Sequence, residues 1–144
     1  MSARSASRSV WVAVAISGII AMVLVACGGS DGEAIPPLSP AGERGKTVAS
    51  EQGCTSCHTA DGTRSTGPSW FGLAGSEVNL DGGKTVIADD AYLSEAILNS
   101  RSEVVQGYAN IMPVYENEIS EEELADLLAY LNDLSPPDKG SEPN

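Results

Sequence analysis

Two cysteines and a histidine within five residues, Cys54-Thr55-Ser56-Cys57-His58, constrain this chain more than any other feature in it. Spaced two residues apart, the thiols come off one turn of backbone and face the same way, and the imidazole follows at once. Three chemistries use such a set. A zinc site asks for four ligands from Cys, His or carboxylate, but His58 is the only histidine and the third cysteine, Cys27, lies in a segment with a different role. A thioredoxin-like dithiol opens a helix in a βαβ setting, whereas this C-x-x-C follows a helical pattern and precedes a stretch rich in glycine. C-x-x-C-H is also the attachment sequence of a c-type haem, in which both sulfurs bond the porphyrin vinyl groups and the neutral imidazole becomes an axial ligand of the iron. The residues favour this third reading, with Cys54 and Cys57 as the covalent tethers and His58 as the fifth iron ligand; chance occurrence of the pentapeptide is the alternative.

The N-terminus reads as an export signal of the lipoprotein kind. Arg4 and Arg8 form a positive region, and Val10 to Ala26 is apolar but short and rich in small residues for a membrane span. The run closes on Leu24-Val25-Ala26-Cys27, which resembles the bacterial lipobox. That resemblance implies cleavage after a signal peptide of residues 1–26 and a diacylglyceryl thioether on Cys27. An uncleaved helical anchor is the competing reading, and either one tethers the domain to a membrane. The two acidic residue types number 20 and none precedes Cys27, while two of the 8 basic residues leave with the signal, so the remainder carries −14. Such a surface is unsuited to nucleic acid or anionic lipid, and it either steers toward cationic partner patches or simply keeps the domain soluble.

Residues 27–40 hold Pro36, Pro37 and Pro40 among Gly and Ser, which predicts a lipidated cysteine followed by a flexible tether. One domain follows over residues 41–135, and residues 136–144 form a C-terminal tail. Only 5% of the sequence is aromatic, so a core of side chains alone would be thin and a buried haem would complete it. Gly45, Val48, Ala49 and Gln52 recur at helical spacing from about Ala41 to Gln52, and Gly53 stops that helix ahead of the cysteines. Thr59 to Gly75 lacks periodicity and reads as a loop around the histidine side of the haem. Glu77 to Leu80 and Lys84 to Ile87 alternate around Asp81-Gly82-Gly83, a small hairpin signal for which an irregular loop is the alternative. Asp89 caps a helix from Asp90 to about Asn99, with Leu93, Ala96 and Ile97 on one face. Ser120 and Glu123 form a capping box ahead of Leu124, Leu127, Leu128, Leu131 and Leu134, a run ended by Ser135-Pro136-Pro137. Glu121, Glu122 and Glu123 suit the first turn of that helix better than a metal site. The fold class expected is mostly α, with three to four helices around one covalent haem c and a small β-hairpin insertion.

With Met1 and Met22 lost in the signal, Met112 is the one methionine of the mature domain, 54 residues beyond His58. A thioether on the sixth iron position favours ferrous iron and raises the potential relative to a second imidazole. Pro113 biases residue 112 toward an extended conformation that reaches inward. Met112 as a gap-filling core residue is the alternative. The nitrogen of His58 away from the iron needs an acceptor, which a carbonyl at Gly67-Pro68 can supply. Trp70, Arg64 and Tyr108 are donors that could reach the haem propionates, or ordinary packing and surface residues.

Taken together, Cys54, Cys57, His58, Gly67-Pro68, Met112-Pro113 and the capped helix carrying Tyr130 resemble the monohaem class I cytochromes c over about Pro40 to Leu134. The resemblance implies an electron carrier and not an enzyme, with the first and last helices crossing at a glycine and an aromatic, here Gly45 and Tyr130. Within that family, Gly72-Leu73-Ala74-Gly75-Ser76-Glu77-Val78, the hairpin, Asp90-Ala91-Tyr92-Leu93 and Met112-Pro113 are similar to the cytochrome c domain on subunit II of caa-type haem-copper oxidases. The copper-binding domain of that subunit is missing from the chain. What the similarity implies is a lipid-anchored carrier on the outer face of the bacterial cytoplasmic membrane, passing electrons between respiratory complexes toward a terminal oxidase. The alternatives are a fixed monohaem subunit of a larger assembly, such as alternative complex III, and a haem sensor or peroxidase-like protein with a labile sixth ligand.

Overall fold

The computed structural model describes residues 37–135. The signal region 1–26, the proposed lipid site Cys27, most of the tether and the tail 136–144 lie outside the described residues. Among the described residues there are three α-helices and one hairpin: α1, Pro40–Glu51; β1, Glu77–Asn79; β2, Thr85–Ile87; α2, Asp90–Leu98; and α3, Glu121–Asp133. No helix among the described residues is long and apolar enough to cross a membrane.

Helix α1 begins one residue earlier than its periodicity suggests, because Pro40 is its first residue and not the end of the extended part. A proline there loses no hydrogen bond and its fixed φ already suits a helix. Ser39 caps the start, accepting from the Gly42 amide at 3.0 Å. The backbone N–H and hydroxyl of Ser39 in turn donate to Asp133 at the far end of α3, both at 2.7 Å. Leu38 packs on the core as well. The folded unit therefore takes in Leu38 and Ser39, ahead of the boundary expected at residue 41.

Gly42, Gly45, Val48 and Ala49 are the buried face of α1, and they meet α3. At Gly45 the two backbones touch. A methyl group there would run into the Asp126 carbonyl and would lie 2.9 Å from the Leu127 amide nitrogen, atoms that cannot swing away. The glycine thus faces α3 backbone at Asp126 and Leu127, and Tyr130, the aromatic expected opposite it, stands a turn further along with its ring edge on Trp70. Beside the crossing, Arg44 grips Asp126 with two hydrogen bonds, Nε to Oδ2 at 2.8 Å and an Nη to Oδ1 at 2.6 Å. Leu127, Leu131 and Leu134 bury the apolar stripe of α3, each worth about 1.5–3 kcal/mol relative to exposure.

Local signals set the remaining elements. Ser120 and Glu123 make the expected reciprocal box at the start of α3, and Asp89 accepts from the Tyr92 amide at 2.8 Å to start α2. The hairpin pairs Glu77 with Ile87, Val78 with Val86 and Asn79 with Thr85. A two-stranded ribbon is marginal alone, and this one is braced by a third piece of chain. Leu80 bridges Val105, the Asp81 amide donates to Val104 at 2.8 Å, the Gln106 amide donates to Asn79 at 2.9 Å, and Lys84 pairs with Glu103.

The Arg44 guanidinium holds the Asp126 carboxyl below the usual carboxylate range. A carboxyl with a lowered folded pKa stabilises the fold fully above its unfolded value, about 3.9, and loses that contribution as pH falls through the folded value. Asp126→Asn is therefore expected to lower the thermal midpoint at neutral pH, with the gap to wild type closing as the solution is acidified to about pH 3. A gap that stays constant over that range contradicts this account of the pair.

Candidate functional site

Gly53, in the left-handed region at φ 73°, ends α1 and turns the chain into a single 3₁₀ turn, Cys54–Ser56. The amides of Cys57 and His58 both donate to the Cys54 carbonyl at 3.1 Å, so both thiols and the imidazole are set by one tight turn. Both cysteines are half-buried. Burial pushes the Cys54 thiol up, and the Tyr115 hydroxyl beside it acts the other way.

The His58 ring is held from three directions. Its Nδ1 lies 2.8 Å from the Pro68 carbonyl oxygen. A carbonyl can only accept, so Nδ1 carries the proton and Nε2 keeps its lone pair for a metal. Gly67 presses on the ring so closely that a Cβ would stand 2.5 Å from Cε1 and 2.8 Å from each nitrogen. Its amide donates to the Cys57 carbonyl at 2.8 Å, which fixes that approach. Trp70 stacks on the ring at a centroid distance of 5.1 Å and an interplanar angle of 12°, and meets Tyr130 edge-on at 5.8 Å. Burial lowers the proton affinity of His58 more than the Pro68 contact raises it, which favours the neutral imidazole a metal requires.

Cys54, Cys57, His58 and Met112 line a single, mainly apolar cavity of about 240 Å³. Its walls come from Pro68 and Trp70 on the loop after the histidine, Leu93, Ala96 and Ile97 on α2, Leu127, Tyr130 and Leu131 on α3, and Tyr108. This donor set fits a haem: two thiols one turn apart, one nitrogen lone pair, one thioether and a hydrophobic enclosure for the macrocycle. The four sequence candidates near the haem separate. Pro68 supplies the carbonyl to His58, and Tyr108 stands in the cavity wall. Trp70 is also in the wall, but its clearest partner is the His58 ring. Arg64 is absent from the lining residues; it donates to the Gly107 carbonyl at 2.6 Å and lies 4.3 Å over the Tyr108 ring, so it braces the wall from behind.

Two residues of the site carried no signal in the sequence. Ser100, 7% exposed just past α2, donates its hydroxyl toward the carbonyls of Met112 at 3.0 Å and Pro113 at 2.8 Å. Tyr115 donates from its hydroxyl to the Gln52 carbonyl at 3.3 Å, tying the Met112 segment to the end of α1. A serine after a helix reads as an ordinary terminator, and nothing local reveals an acceptor a dozen residues downstream.

A helical domain thus closes a hydrophobic cavity over a C-x-x-C-H turn, and the family match marks the chain as an electron carrier rather than an enzyme. The chain belongs to the cytochrome c family, whose model matches residues 42–135 and thus most of the chain. Members of that family hold haem c covalently, and Cys54 and Cys57 are the matching cysteines here. Among curated proteins, none matches the chain.

Because no Cβ fits between residue 67 and the imidazole, Gly67→Ala is expected to destabilise the haem-loaded protein by about 2 kcal/mol and to change its visible spectrum as the His58 ring turns off Pro68. Wild-type unfolding and an unaltered spectrum would contradict the contact.

Proposed function

We propose that this protein is a membrane-anchored c-type cytochrome that passes single electrons between respiratory complexes, with His58 and Met112 as the two axial ligands of its iron. The observation that carries the reading is the convergence of Cys54, Cys57, His58 and Met112 on one apolar cavity. Haem c, when bound, supplies the one-electron couple. The chain's own residues set the terms on which that couple works. Pro68 and Gly67 orient the imidazole, Met112 offers a soft sulfur that favours the reduced state, and the apolar walls from α2 and α3 keep water from the metal. Held by His58 and Met112, the group would offer a substrate no open position and would supply a one-electron couple.

Anchoring and address rest on the sequence. Leu24-Val25-Ala26-Cys27 supports a lipid on Cys27 after removal of residues 1–26, and the stretch to about Pro37 then serves as a leash. An exported lipoprotein of this kind sits on the outer face of the cytoplasmic membrane. The likeness to the cytochrome c domain of caa-type oxidase subunit II supports a terminal haem-copper oxidase as acceptor. The excess of acidic side chains supports partners that present cationic patches, reached by a salt-dependent on-rate.

Met112→Ala is expected to keep covalent haem while lowering the reduction potential, read by redox titration; an unchanged potential and spectrum exclude Met112 as a ligand. Cys27→Ser is expected to abolish lipid labelling and to leave unprocessed or soluble protein. Normal labelling of that variant refutes the anchor.

A further inference from the structure

We infer that Ser100 is the positioning residue of the Met112 ligand: its hydroxyl clasps the consecutive carbonyls of Met112 and Pro113 to the end of α2 and thereby keeps the thioether in the cavity. This deepens the reading of Met112 as the sixth ligand and rests on it.

Beyond the tie from the Tyr115 hydroxyl to Gln52, the segment has little else to hold it. It forms no helix or strand, and Pro113 brings no N–H with which to join a ladder. Its neighbours face water, Ile111 at 61% exposed and Val114 at 42%, so their packing contributes little to fixing residue 112. One backbone bond, from the Tyr115 amide to the Leu98 carbonyl at 3.2 Å, joins the segment to α2 beyond the proline. Ser100 fills the gap nearest the ligand. It is buried and has one proton, shared between the Met112 and Pro113 carbonyls at 3.0 and 2.8 Å. Its position is itself fixed, since it directly follows Asn99, the C-cap of α2, whose amide bonds Glu95 at 2.8 Å.

The hydroxyl therefore acts on an equilibrium between Met112 held in the cavity and Met112 swung out. A small external ligand for iron competes only with the held form, so its apparent affinity reports that equilibrium. Losing a buried hydrogen bond of ordinary strength shifts such an equilibrium by about tenfold.

The test is an imidazole titration of the ferric, haem-loaded protein in four forms: wild type, Ser100→Ala, Ser100→Thr and Met112→Ala, each checked for a wild-type circular dichroism spectrum. Ser100→Ala removes one oxygen and adds no bulk. It is expected to bind imidazole about tenfold more tightly than wild type, to weaken the near-infrared methionine-to-iron charge-transfer band, and to have a lower potential. Ser100→Thr keeps the hydroxyl and is expected to behave as wild type, while Met112→Ala binds tightest and lacks the band. If Ser100→Ala matches wild type while Met112→Ala binds more tightly than both, the clasp is overturned and Met112 ligation stands. If Ser100→Thr matches Ser100→Ala, the effect belongs to packing and the clasp is again overturned. If wild type binds imidazole as tightly as Met112→Ala, Met112 ligation falls and the clasp falls with it.

Discussion

The contact of α1 with α3 at Gly45 governs where everything else in this domain lies. Close approach of the two backbones there, with Arg44 locked on Asp126 and Ser39 on Asp133, fixes one helix against the other at both ends of their overlap. The end of α1 then delivers the Cys54–His58 turn, while α3 delivers Leu127, Tyr130 and Leu131 to the wall of the same cavity. A bulkier residue at position 45 would push the helices apart and with them the thiol-bearing floor and the apolar wall. The shape of the cavity is thus set by a backbone contact that includes none of Cys54, Cys57, His58 and Met112.

The two proposed iron ligands are held by different physics. His58 is over-determined: a hydrogen bond, a glycine with no room for a methyl group and a stacked indole each specify its ring plane. Met112 hangs on a short segment without regular structure, held by one buried hydroxyl and a few bonds to α2 and α1. On the proposed reading, a rigid imidazole and a lightly tethered thioether would together hold the haem iron. The hairpin has a place in this scheme too. By bonding the chain at Val104, Val105 and Gln106 it braces the stretch leading to Tyr108, which Arg64 supports from the other side.

What the sequence revealed was mostly what is decided within a few residues. The heme-binding pentapeptide, the Gly53 stop, the Asp89 cap and the Ser120–Glu123 box all depend on neighbours in the chain, and each lies where its pattern indicates. Pro40 was legible as a boundary, although its place on the helical side follows from the Ser39 cap. The site's finer parts depend on partners far along the chain. Trp70 as a donor gave no hint that its ring would lie flat on His58, and Arg64 gave none that it would turn to Gly107 and Tyr108. Gly45 was recognisable as a crossing residue, but its opposite number is peptide backbone, which carries no signature in side-chain identity. Ser100 is the extreme case, since its function depends wholly on two carbonyls brought to it by the fold.

The central claim is that a haem held by Cys54 and Cys57 lies between the His58 nitrogen and the Met112 sulfur. Proton NMR of the ferrous, haem-loaded protein tests this most directly, because a methyl group seated over a porphyrin face is moved far upfield by the ring current. One strongly upfield three-proton resonance is expected, and it disappears when Met112 alone is replaced. A spectrum in which the Met112 methyl resonates in the ordinary aliphatic region would contradict it.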